Sequence, residues 1–109
     1  MQAALYLCGL MTIAAFKTSL NNQVPPAGLT PALLALWWDG KGDWDRSHDI
    51  AQEDHTRAGS WVHAYLHRKE GDPGNAAYWY SRAGKAVFRG SLEAEWEQIS
   101  GSLLLENAG

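Results

Sequence analysis

The chain has 109 residues, enough for one domain with a shared core and too few for two independent ones. With 46% hydrophobic residues and six tryptophans it carries more large apolar surface than a disordered chain of this size would, which excludes disorder beyond the ends. The net charge of -3, with nine Lys and Arg scattered among twelve Asp and Glu, excludes the clustered cationic face that nucleic acid requires, and a single cysteine, Cys8, excludes an intramolecular disulfide or a multi-cysteine metal knuckle. A lone thiol in an apolar run suits a buried, inert side chain and a cytoplasmic protein.

Residues 3–20 read as a helix that is apolar almost all round, with residues 1–10 open to being an upstream extension because a second Met stands at position 11. The stretch is too short to cross a bilayer comfortably and lacks the basic start of a secretory signal, so no membrane partner is expected. "VPPAGLTP" is a linker, since consecutive prolines hold an extended path. Residues 1–24 thus form a helix and linker, and 25–109 a single helical domain.

Thr30 before Pro31 is a helix start: a hydroxyl at the N-cap, then proline at the first helical position. That helix should stop between Gly40 and Gly42. Asp43 can cap the next, in which Trp44, His48, Ala51 and His55 fall on one face. After the break "HTRAG", Ser60 can cap "WVHAYLHRKE"; after "GDPG", Asn75 can cap a helix running to Phe88. Ser91 can cap a last helix to about residue 105, with Leu92, Trp96, Ile99 and Leu103 inward and Glu93, Glu95, Glu97 and Gln98 outward. No period-two alternation runs far enough for a strand. The expected fold is all-α, about five to six helices, with antiparallel hairpins at about 31–54 and 60–88 and a capping helix at about 91–105.

Shifting the chain by 29 residues places Gly42-Asp43 on Gly71-Asp72, Ala35 on Ala64, and Ser47 on Ala76. Small residues at matched positions let two antiparallel helices approach closely. Leu34, Ala35, Trp38, Gly42, Asp43, Trp44 and Ser47, and again Ala64, Gly71, Asp72, Ala76, Tyr80 and Ala83, stand in an order that resembles the tetratricopeptide repeat. The resemblance covers about half the chain and implies stacked hairpins and a role in binding a protein or peptide. The chain departs from that family in its shorter repeat and in Ala51, where an aromatic is usual. "HAYLHRKEGD" with "NAAYWYSRAG" is also similar to a group of small uncharacterised microbial proteins, which implies no activity.

The chemistry-bearing residues are mainly histidines. His63 and His67 are four apart on one helix face, a spacing that can hold a metal such as zinc. Ala64 follows His63, so the glutamate of "HExxH" is missing. By the repeat, the two occupy the slots of Leu34 and Trp38, so something polar must face them, with His48, His55, Asp49, Glu53 or a tyrosine hydroxyl as candidates. Asp39, Asp43 and Asp45 flank a glycine-bearing turn, but "DGKGDWD" lacks calcium-loop spacing, and Asp43 reads as a cap. Arg57, His67, Arg68 and Lys69 could hold an anion, although Glu70 and Asp72 beside them favour a solvated helix end.

Three functional expectations stay open. One is an interaction module without cofactor, binding a protein, a peptide or a second copy of itself through an aromatic surface of Trp37, Trp61, Tyr65 and Trp79; the absence of a complete catalytic motif favours this over an enzyme. Another is a histidine-based metal-binding protein or small metal-dependent enzyme, with His48, His63 and His67 converging on a transition metal. The third makes the histidines a buried hydrogen-bond network between hairpins, replaceable by apolar residues.

Overall fold

The structure, a computed structural model, describes residues 11–108, which form six α-helices and no strand. Residues 1–10, including Cys8 and the first eight residues of the first expected helix, lie outside the described residues. What is described of that helix is α1 (Ile13–Ser19), capped by Thr12, whose hydroxyl accepts from the Ala15 N–H at 3.0 Å.

Helix α2 (Pro31–Gly40) starts as the sequence predicts, with the Thr30 hydroxyl accepting from the Leu33 N–H. It ends through Gly42, whose φ of 89° is the left-handed conformation that closes a helix and that other residues rarely adopt. There the Asp43 N–H donates back to the Trp38 carbonyl at 2.9 Å, and the Asp43 carboxylate accepts from the Arg46 N–H to start α3 (Trp44–Glu53). The next hairpin repeats the main bonds of this turn. Helix α4 (Arg57–Lys69) ends through Gly71 at φ 89°, Asp72 N–H donates to the His67 carbonyl at 2.9 Å, and the Asp72 carboxylate caps α5 (Pro73–Ala83). The 29-residue internal repeat is therefore present in the backbone as well as in the letters.

Two caps differ from expectation. Thr56, not Ser60, caps α4: Asp54 accepts from both the N–H and the hydroxyl of Thr56, and the Thr56 hydroxyl accepts from the Gly59 N–H. Ser60 is buried inside the helix, and "RAG" is its first turn rather than a break. Asp72, not Asn75, caps α5, and that helix stops at Ala83 instead of Phe88 because Gly84 takes the left-handed conformation and Lys85 N–H donates to the Tyr80 carbonyl. The last helix, α6 (Leu92–Ala108), begins as expected, with the Ser91 hydroxyl accepting from the Ala94 N–H.

Helix α4 is the axis of the fold. It packs on α5, α3, α6 and α2, and every residue from Gly59 to His67 is buried. A helix surrounded on this scale is apolar all round where it can be, so polar groups on it must find partners from its neighbours. Ser47 donates to the Ala35 carbonyl at 2.6 Å and draws α3 onto α2; Trp44 Nε1 donates to the Leu66 carbonyl and ties α3 to α4. Trp96 joins α6 to the rest, stacking on Phe16 and donating to the Leu36 carbonyl at 2.9 Å. None of the helices among the described residues is long and apolar enough to cross a membrane.

Candidate metal site

Two neighbouring helices bring three histidines together. His63 and His67 lie one turn apart on α4 and His48 faces them from α3, so that one ring nitrogen from each lies within 4.8 Å of the others. His48 Nε2 and His63 Nε2 are 3.0 Å apart. The rings of His63 and His67 stack at 4.7 Å between centroids, and His48 meets both edge-on. His48 and Ala51 share the buried side of α3 as the spacing predicts, but His55 does not join them: α3 ends at Glu53, and His55 is exposed in the loop beside Leu29, Pro31 and Leu34.

Two tryptophans wall the cluster. Trp44 stacks on His48 with centroids 4.9 Å apart, and Trp79 of α5 stacks on His63 at 4.0 Å. Flat contacts of this kind leave the imidazoles little freedom to rotate. His67 is held differently: its Nδ1 lies 2.6 Å from Glu70 Oε2, and Asn75 Nδ2 is 3.5 Å from its Nε2. His63 Nδ1 is buried and has no partner.

Burial first, and then the neighbouring rings of His48 and His67, where a second positive charge would be unfavourable, push the His63 imidazole down from 6.5 to about 4. His48 is lowered too, first by burial and then by His67, with Asp49, Glu70 and Asp45 opposing. Both rings are therefore neutral near pH 7, the form that can lend a lone pair to a metal. Tetrahedral zinc with bonds of about 2.0–2.1 Å places its ligand nitrogens about 3.3 Å apart, close to the 3.0 Å between His48 Nε2 and His63 Nε2, with a nitrogen of His67 within 4.8 Å of both rings' nitrogens. The donor set of three imidazoles suits zinc, copper or nickel and not magnesium or calcium, which take oxygen.

The aromatic surface has a different fate. Trp37 is 0%, Tyr65 2% and Trp61 6% exposed, so these three belong to the core and offer no groove. Trp37 Nε1 donates to Ser19 and Tyr65 donates to Asp39 at 2.6 Å, while Trp61 is covered by the exposed Lys85, whose ammonium lies 4.2 Å from its ring. Trp79 is partly buried and belongs to the histidine wall, with Tyr78 against its edge. Three of the four residues considered for an anion site are engaged elsewhere, Lys69 with buried Asp39 at 2.9 Å, Arg68 with Glu95 at 2.8 Å and His67 with Glu70, while Arg57 is exposed at the start of α4.

Glu95 corrects the expectation of a wet face on the last helix. It is fully buried, accepting from Arg68 Nε and from the Tyr80 hydroxyl. Burial and then this bond push the Tyr80 phenol up, and burial and then Asp39 do the same to Tyr65, so both stay protonated donors. Its spacing is the signal that could have found it: Glu95 is three residues after Leu92 and four before Ile99, on the edge of the apolar stripe. Asp43 is the cap predicted for it.

Compared with protein-family models, curated proteins and solved structures, the chain matches none of them.

Proposed function

We propose that this protein is a transition-metal-binding protein, with His48, His63 and His67 as the ligands. The observation that carries the proposal is the convergence of three ring nitrogens within 4.8 Å, from two different helices. A hydrogen-bond network is the competing account; His63 Nδ1 is unpartnered under either one, at a cost on the order of 1–3 kcal/mol. A metal bond on the other nitrogen of that ring is the interaction best able to offset it.

Three protein ligands leave a tetrahedral ion one further position, the arrangement of catalytic rather than purely structural zinc sites. His48 is only half-buried, so the cluster meets solvent on its side. An ion held there would act as a Lewis acid on whatever occupied the fourth position. The hairpins remain tetratricopeptide-like in our reading, supported by the duplicated glycine-aspartate turn, and their use here is to set two helices at the distance the histidines need. The interaction module expected from Trp37, Trp61 and Tyr65 has lost that surface to the core.

Zinc titration against a chromogenic chelator tests the proposal. One equivalent should bind, and His48→Ala, His63→Ala and His67→Ala should each weaken binding by more than the roughly 100-fold that loss of an outer hydrogen bond brings. Parent-like affinity in all three variants, or no zinc taken up by the parent, would support the hydrogen-bond network instead.

A further inference from the structure

The two hairpins share a backbone but not a chemistry, and the differences are coordinated. Where the second hairpin has His63, His67, Glu70 and Asn75, the first has Leu34, Trp38, Lys41 and Arg46. In the first, Arg46 lies over the Trp38 ring at 4.1 Å, and Lys41 turns away to donate to the carbonyls of Leu20 and Asn22. In the second, the residue at the place of Lys41 turns inward instead, and Glu70 Oε2 lies 2.6 Å from His67 Nδ1.

The turn itself does not need a carboxylate at that place. Gly42 and Gly71 share the same φ of 89°, and the backbone bond from the following aspartate is 2.9 Å in both, with lysine in one and glutamate in the other. Glu70 is one turn from its histidine, the spacing at which helical side chains meet, and its own side chain is 39% exposed, so the fold gains little from it.

Resting on the metal-binding reading above, we propose that Glu70 is the positioning residue of the site. By accepting the Nδ1–H of His67 it selects the tautomer whose lone pair lies on Nε2, and it holds the ring still against rotation. A ligating histidine whose other nitrogen donates to a carboxylate is a better and more firmly oriented donor. Glu70 therefore raises metal affinity without touching the metal.

The test uses the full chain, zinc and cobalt(II), and the variants Glu70→Ala and Glu70→Gln. Glu70→Ala should weaken zinc about 10- to 100-fold while metal-free helicity and unfolding midpoint stay as in the parent. Glu70→Gln, whose amide oxygen can still accept from Nδ1–H, should recover most of the affinity. The cobalt spectrum should keep its shape in Glu70→Ala, since the ligands are unchanged; a change in coordination number would make Glu70 a ligand and overturn the positioning role. Parent-like zinc affinity in Glu70→Ala would overturn it too, while leaving the three histidines standing. Failure of the parent chain to take up zinc would overturn both.

Discussion

His63 is the residue on which most depends. It sits on the buried axis of the fold, stacked on Trp79, with its imidazole lowered to about 4 by burial and by its histidine neighbours. Because the folded value lies below the ordinary 6.5, the unfolded chain binds more protons between the two, and stability of the metal-free protein should rise with pH across that window. It should be fully present above about 6.5 and lost as pH falls through about 4; His48, lowered in the same sense, adds to the slope. Urea unfolding from pH 4 to 7 checks this, and His63→Leu should flatten the dependence. The histidine spacing on α4 was readable from the letters alone, and so was the need for a polar partner. Which partner was not, because His48 and His55 are seven residues apart on what reads as one face, and only the end of α3 at Glu53 decides between them. Glu95 was misread for a related reason: four residues set the expected apolar stripe, and the observed one is wide enough to include Ser100 and Leu104 as well.

At the scale of elements, the repeated turn is the device that fixes the site. Gly71 places α5 against α4, and with it Trp79 over His63 and Asn75 beside His67. Gly71→Ala should cost about 1–2 kcal/mol in chemical denaturation, because a Cβ at φ 89° is strained even though no neighbour would touch it. The same change at Gly42 should cost a similar amount and leave zinc affinity alone, since no histidine follows from that turn. Helix starts were legible where one capping residue stood alone, as at Thr30 and Asp43. They were not where two candidates stood three or four residues apart, as with Thr56 and Ser60 or Asp72 and Asn75. Packing breaks such ties: a Cβ on Gly59 would lie 2.2 Å from the Asp54 carbonyl oxygen, so the glycine that read as a break is there to let the loop close on the helix.

For the whole molecule, α6 closes the structure over two hairpins that are too few to stack by themselves. Trp96 is the main bond in that closure, against Phe16 on one side and the Leu36 carbonyl on the other. Trp96→Ala should destabilise the protein by about 3–5 kcal/mol, a large part of what a domain of this size has, as read from its thermal unfolding midpoint. The all-helical class was evident from periodicity; the buried network of Tyr80, Arg68 and Glu95 beneath α6 was not, because it joins residues from three helices that no local pattern relates. All of this architecture holds three imidazoles at one point, and whether they hold a metal is decided most directly by elemental analysis of the protein purified without an affinity tag, beside His63→Ala/His67→Ala. About one equivalent of a transition metal in the parent, absent from the double variant while its helical circular dichroism persists, is the result predicted here. A parent protein that carries no metal and takes up none when offered zinc, copper or nickel would contradict it.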